Sequence, residues 1–355
     1  MRVIDLHAHI LPRTWPSWTK RCGYAGWIEL EHIEGGCARL CRTLPDGGRA
    51  FFRDVRDNLW DPSRRLDDMA RHGVDTQVLS TVPVMFSYWA QPGDARDLAR
   101  VLNDHIADLV REHPRHFEGL GTIPMQAPDL ACAELERCVR TLGLRGVQIG
   151  TNVNGLNLDE PSVQAVFAAA ADLGAAVFVH PWDMLGGERF ARYWMPWLVG
   201  MPTESTTAIM SVLFSGTLDR LPSLRIGFAH GGGSFAGTLG RIMHGFACRR
   251  DLFPEDARDP REYLAVAGPH AAPARFWVDS LVHEPAALRR LIDLMHPRRV
   301  ALGSDYPFPL GEEHPGSLVR SLPDLSPGAR RDVLGAAAAE FLALHDTEPG
   351  GTRET

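Results

Sequence analysis

The chain has 355 residues, 45% of them hydrophobic and 23% charged, with a formal net charge of -7 at pH 7. That length allows one large domain or two ordinary ones, and lets roughly three quarters of the unfolded surface be buried without staples. The negative balance argues against a nucleic-acid partner, no apolar run nears the ~20 residues of a membrane span, and no secretory leader is read at MRVIDLHAHI, so the cytoplasm is the expected compartment.

The first apolar run covers 3–10 and carries Asp5, His7 and His9. Alternate residues of a strand share a face. His7 and His9 therefore present two imidazoles together near the run's C-terminal end, although the pair alone also reads as satisfied polar residues at a strand end. Residues 13–60, rich in Gly, Trp and Arg, interrupt the pattern and are expected as an insertion. Further apolar runs follow at 74–83, 117–124, 146–152 and 176–182, then at 224–232, 276–281 and 300–307. Most are apolar throughout rather than alternating, which suits strands covered on both faces. Helical patterns lie between them. Leu135, Cys138, Val139 and Leu142 fall at i, i+3, i+4 and i+7. An alanine-rich stretch at 163–173 follows Pro161, which suits a first helical turn. Residues 183–203, containing GGERFARYWMPWLVG, form a second insertion, and the tail at 346–355 reads as disordered.

Eight strands alternating with helices predict an α/β fold, a (β/α)8 TIM barrel filling 1–345 as a single domain. An open doubly wound sheet is the alternative. In a barrel, long insertions after strands gather at the C-terminal face, where active sites are built.

Four of the runs end in side chains that bind metals: His7 and His9 in the first, His180 in the fifth, His230 in the sixth and Asp305 in the eighth. Barrel closure brings these ends around one mouth, and packing does not account for all of them. Imidazoles with a carboxylate suit zinc first, with iron, cobalt or manganese as alternatives. Gln148 stands in the fourth run where a bridging lysine would sit, so a single metal is expected. Lys20 is the only lysine. That argues against Schiff-base and pyridoxal-phosphate chemistry, which need a lysine in the site. The six cysteines show no CxxC spacing and are expected as free thiols. His72, His105, His113 and His116 are expected at the surface.

The motifs DLHAHILP from Asp5, LWDP from Leu59, PVMF from Pro83, HPWDMLGG from His180, PWLVGMP from Pro196, HGGGSFAGTLGR from His230 and GSDYPFPLGE from Gly303 together resemble the 2-amino-3-carboxymuconate-6-semialdehyde decarboxylase family of the amidohydrolase superfamily. The resemblance runs from about Val3 to Leu344. It implies that His7, His9, His180 and Asp305 bind one zinc ion, and that His230 is a catalytic acid/base beside the metal water, with Asp305 catalytic as well. Arg53, seven residues before the tryptophan of WDP, is implied to contact a substrate carboxylate. Arg241, which ends HGGGSFxxxxGR, is implied to reach the neighbouring site across a homodimer. Trp182 and Trp194 read as walls of the pocket or as packing. The implied reaction is non-oxidative decarboxylation, in which a metal-activated water adds to a conjugated diene before carbon dioxide leaves, within tryptophan-type catabolism. A hydrolase or hydratase acting on another small carboxylate is the alternative, and a non-catalytic metal-binding scaffold is a third reading. Two guanidiniums favour the first, because they bind carboxylates as bidentate forks and a neutral amide needs no such pair. A lysine that the family carries in the insertion has no counterpart after Lys20; Arg42 and Arg49 are the candidates to replace it.

Overall fold

The computed structural model describes residues 2–267 and 272–344, so the tail at 346–355 lies outside the described residues. Eleven strands are formed: β1 (Ile4–Ile10), β2 (Ile28–Ile33), β3 (Cys37–Thr43), β4 (Arg49–Arg56), β5 (Thr76–Thr81), β6 (Phe117–Gly119), β7 (Gly146–Gly150), β8 (Ala176–His180), β9 (Arg225–Phe228), β10 (Trp277–Asp279) and β11 (Val300–Ala301). Parallel pairing runs β1-β5-β6 in one arc and β7-β8-β9-β10-β11 in another. Parallel bridges Gly121–Val147 and Ala8–Tyr306 join the arcs. His9 N also donates to Tyr306 O at 2.7 Å and Leu6 N to Leu302 O at 2.8 Å. The ring is closed: this is a (β/α)8 barrel, not an open sheet.

All eight predicted runs are strands, each shorter than its apolar run. In every run but the first, the last residues lie beyond the ladder. Strands β5, β7 and β8 are buried along their whole length, as the absence of alternation predicts. Leu6, Val78, Phe178, Trp277 and Phe341 form a buried cluster that plugs the end away from the mouth. The helix Pro161–Leu173 starts on its proline, and Val163, Val166, Phe167 and Ala170 face the barrel.

The insertion is a small antiparallel sheet, β2-β3-β4. Its first hairpin turns at Gly35 and Gly36, with φ of 76° and 73°, a region that glycine enters without the steric cost of a Cβ. It has a core of its own, in which Trp27, Leu40 and Leu59 pack with Val82, Val84 and Leu98. That packing lays β4 over the barrel mouth. His105 departs from its expected place at the surface: it is only partly exposed, and its Nε2 is buried without a partner. The helix Pro92–Glu112 that carries it is covered by the N-terminal segment near Leu11 as well as by the barrel. The six cysteines are free. Among the described residues, no helix is long and apolar enough to cross a membrane.

The LWDP motif has a local explanation. Trp60 is buried, Asp61 caps the helix Pro62–His72 by accepting from Ser63 N and Arg64 N, and Pro62 opens the first turn. The helix carries Arg65 inward, where it is fully buried. Its guanidinium donates to His9 O at 2.5 Å, Asn58 O at 3.1 Å and the Gln77 side chain at 2.9 Å. Burial lowers its pKa to about 10, so it remains charged at neutral pH. Removing it leaves the buried acceptors His9 O and Gln77 Oε1 without this donor, each costing about 1–3 kcal/mol, and frees the part-buried Asn58 O. Arg65→Met is expected to lower stability by about 3 kcal/mol in urea unfolding of chelator-treated protein. A loss below about 1 kcal/mol would show that the end of β1 is held by other contacts.

Candidate metal centre

His7 and His9 sit two residues apart on β1 and point the same way, into the barrel. His180 is the last residue of β8, and Asp305 follows β11 at φ 56°. All four are buried, and one ligand atom from each lies within 4.8 Å of the others. The hydrogen bonds around the three imidazoles decide which atoms face inward. His7 Nδ1 donates to Asp279 Oδ2 at 2.7 Å, His9 Nδ1 to Thr81 O at 2.9 Å and His180 Nδ1 to Pro181 O at 3.0 Å. A neutral imidazole has one proton, so each Nε2 presents a lone pair. His7 Nε2 and His9 Nε2 are 3.1 Å apart. Asp305 Oδ1 is 3.4 Å from the first and 3.0 Å from the second. No proton lies between these atoms to make the contacts hydrogen bonds, and His180 Nε2 and Asp305 Oδ1 are buried without partners. Acceptors crowded in this way repel unless a cation sits among them. Atoms bound about 2.0–2.1 Å from a tetrahedral metal lie roughly 3.3 Å apart. The donor set and spacing therefore fit one divalent metal ion.

The electrostatics agree at His9 and His180. Burial keeps His9 neutral and holds His180 well below the usual histidine range. Burial opposes the charge on Asp305, but the neighbouring histidines outweigh it and keep the carboxylate ionised. Burial likewise disfavours charge on His7, yet the hydrogen bond to Asp279 raises its pKa.

His230 follows β9 and does not join the four. Its Nε2 lies 3.8 Å from Asp305 Oδ2, too long for a hydrogen bond, and its ring centroid is 4.9 Å from that of His180. It stands beside the cluster with a free imidazole edge. The HGGG sequence makes this placement possible. His230 and Gly231 have φ of 56° and 61°. A Cβ at Gly231 would meet Val282 at 2.3 Å, and one at Gly233 would meet Pro202 O at 2.2 Å. Asp279, at the end of β10, accepts from His230 N at 2.9 Å and Gly231 N at 2.8 Å. Sequence reasoning missed Asp279. The signal was present, since VDS at 278–280 is another apolar strand ending in a carboxylate.

Two cavities meet beside the cluster. The smaller, about 40 Å³, is lined by His9, His180, Asp305, Arg53, Trp182 and Trp194 among others. The larger, about 520 Å³, borders His230 and shares Trp197, Met201 and Leu310 with the first. Arg53 reaches the smaller one from β4, with its guanidinium 4.7 Å from the Phe308 ring centroid. Among the described residues it makes no hydrogen bond or ion pair. Burial lowers its pKa, and the charge of Asp305 works the other way. Trp194 lines the cavity but is 42% exposed, so it is a rim residue. Arg241, on the helix Phe235–Cys248, is exposed and lines neither cavity. Of the two candidate replacements for the family's lysine, Arg49 is paired with Glu29 and Glu31 and does not line the smaller cavity. Arg42 acts on Asp183, in the segment that follows His180. Gln148 is buried in β7, and neither of its side-chain polar atoms has a hydrogen-bond partner among the described residues.

Residues 4–344 match the family model described as Amidohydrolase. A 2-amino-3-carboxymuconate-6-semialdehyde decarboxylase from Dictyostelium discoideum is 51% identical over 96% of this chain and 91% of its own length. The chain belongs to the 2-amino-3-carboxymuconate-6-semialdehyde decarboxylase family. The decarboxylase of the same name from Caenorhabditis elegans is 34% identical, over 97% of this chain and 95% of that protein. Among solved structures, 5-carboxyvanillate decarboxylase from Sphingomonas paucimobilis superposes with a TM-score of 0.76 at 25% identity, covering 96% of this chain and 99% of that one. For this member of the decarboxylase family, elemental analysis is expected to find about one divalent metal per chain, and His180→Ala is expected to remove most of it. Two metals per chain would contradict a mononuclear centre.

Proposed function

We propose that this chain is a metal-dependent carboxy-lyase that releases carbon dioxide from 2-amino-3-carboxymuconate-6-semialdehyde or a closely related unsaturated carboxylic acid. The observation that carries the reading is Arg53: a largely buried guanidinium, without an acidic partner among the described residues, faces the metal cluster across a small cavity. A guanidinium in that position binds a carboxylate as a fork, and a hydrolase acting on a neutral amide has no use for it. His7, His9, His180 and Asp305 would hold the ion. Three imidazoles with one carboxylate suit zinc, whereas manganese prefers a shell richer in oxygen. When bound, the ion supplies a Lewis acid and the acidity that makes water a nucleophile near neutral pH.

The chain's own residues do the rest. Arg53 fixes the substrate carboxylate beside the cluster, and Trp194 closes the rim over it. The remainder of the substrate extends past Trp197, Met201 and Leu310 towards the larger cavity. That leaves its reacting carbon between Asp305 and His230. His230 Nε2 takes a proton from solvent and delivers it to the carbon that carbon dioxide leaves, the general acid–base role open to an imidazole. Asp305 steadies the charge that His230 gains. Arg241 serves the neighbouring site in a homodimer: it is exposed, far along its helix from His230, and C2 pairing would make the two sites equivalent.

The direct test supplies freshly generated 2-amino-3-carboxymuconate-6-semialdehyde anaerobically and follows carbon dioxide. Release that depends on bound metal is expected; none from a metal-loaded protein would sink the proposal. His230→Ala is expected to keep its metal and lose a factor of roughly 10² or more in rate. A near wild-type rate would make His230 structural. Mixing Arg241→Ala with His180→Ala subunits, each almost inactive alone, is expected to restore about a quarter of wild-type activity through mixed dimers with one complete site. No recovery, with mixed dimers shown to form, would mean that Arg241 does not act across an interface.

A further inference from the structure

We infer that Asp279 is the positioning residue of this centre, fixing through one carboxylate both the tautomer of the ligand His7 and the place of His230. The inference rests on the proposed roles of those two histidines. Asp279 ends β10 and has no exposed surface. Its Oδ2 takes the His7 Nδ1 proton at 2.7 Å and His230 N at 2.9 Å. Its Oδ1 takes Gly231 N at 2.8 Å and Leu281 N at 3.1 Å. Four donors thus converge on one buried anion.

Each bond has a separate consequence. The bond to His7 keeps that imidazole's proton on Nδ1 and its lone pair on Nε2, where the ion needs it. Such outer partners orient metal-binding histidines, and their loss costs about 10–100-fold in metal affinity or activity. The bonds to His230 N and Gly231 N hold two successive residues at positive φ. That conformation is sterically unfavourable for His230, which the carboxylate offsets by satisfying both amides. It aims the His230 ring at Asp305. A carboxylate serves all four donors because it only accepts. An amide of the same shape cannot.

Asp279→Asn tests this distinction. Its single oxygen can replace Oδ1 and keep the Gly231 and Leu281 amides. Its NH2 then faces His7 Nδ1 and the His230 amide, both of which need an acceptor. His7 would accept at Nδ1 and carry its proton on Nε2, the wrong tautomer for a ligand. The expected result has three parts. Zinc affinity, read by competition with a chromogenic chelator, falls about 10–100-fold. The unfolding midpoint of chelator-treated protein falls, because the His230 amide loses its acceptor, but unfolding stays cooperative because the Gly231 and Leu281 amides keep theirs. At saturating zinc, kcat remains at least about 10-fold low while KM changes little, because Arg53 is untouched. Affinity within about 3-fold of the wild type, or kcat fully restored by added zinc, would overturn the inference. If Asp279→Asn is insoluble, Asp279→Ala is to be measured with and without formate. Recovery of zinc affinity by formate, but not by chloride at equal ionic strength, supports the positioning role. No recovery, or insolubility of both variants, would make Asp279 a folding residue. The affinity measurement needs no substrate, so a protein inactive on the semialdehyde would refute the proposed function and leave this inference standing.

Discussion

At the top of the barrel, three imidazole nitrogens and one carboxylate oxygen face one another without a proton to share. His7, His9 and His180 each donate through Nδ1 to an acceptor behind them, so each turns a lone pair inward. With all three imidazoles neutral, the arrangement has no proton to share. It stores repulsion at the mouth that a cation relieves, and the surrounding structure is organised to hold it. The closed ring makes this possible, because backbone bonds such as those from His9 N to Tyr306 O and from Asp305 N to His7 O tie the first strand to the last.

Buried polar groups hold the first strand from several sides. Arg65 grips His9 O from the following helix, and Asp279 grips His7 Nδ1 from β10. Asp5, on the same strand, accepts from Ser304 N at 3.0 Å and Ser304 Oγ at 2.5 Å. That couples β1 to the turn that presents Asp305. Burial raises the Asp5 pKa to about 6. Each of these groups is costly to bury alone and is tolerated because its partners are fixed. The antiparallel sheet adds the remaining component. It brings Arg53 over the mouth from outside the barrel repeat, so the clustered histidines and the group proposed to bind a carboxylate come from different parts of the architecture.

The barrel was legible because its strands are covered on both faces, and unbroken apolar runs are the sequence form of that burial. The ligands were legible for a related reason: polar residues at the ends of such runs stand out. The same rule applied to Trp277–Asp279 points to Asp279, but the residue is a hydrogen-bond acceptor rather than a ligand, and nothing in the motif distinguishes the two. The sheet at 28–56 was read only as an insertion. Charged residues break up its apolar pattern, yet EGG at 34–36 and DGG at 46–48 are hairpin signals. Arg49 and Arg42 looked equivalent in sequence, and only the Glu29 and Glu31 side chains opposite Arg49 separate them. The roles of Arg53 and Arg241 came from family resemblance. A lone arginine carries no local pattern that separates a substrate fork from a solvated charge.

The central claim is that the three Nε2 atoms and the Asp305 carboxylate form the shell of one metal ion. X-ray absorption fine structure at the metal edge of the loaded protein tests it most directly. The account predicts a shell of nitrogen and oxygen near 2.0–2.1 Å, outer-shell scattering from three imidazoles, and loss of one imidazole in His180→Ala protein reloaded with excess metal. Sulfur scattering near 2.3 Å, a second metal at about 3.5–4 Å, or an imidazole count unchanged by His180→Ala would contradict it.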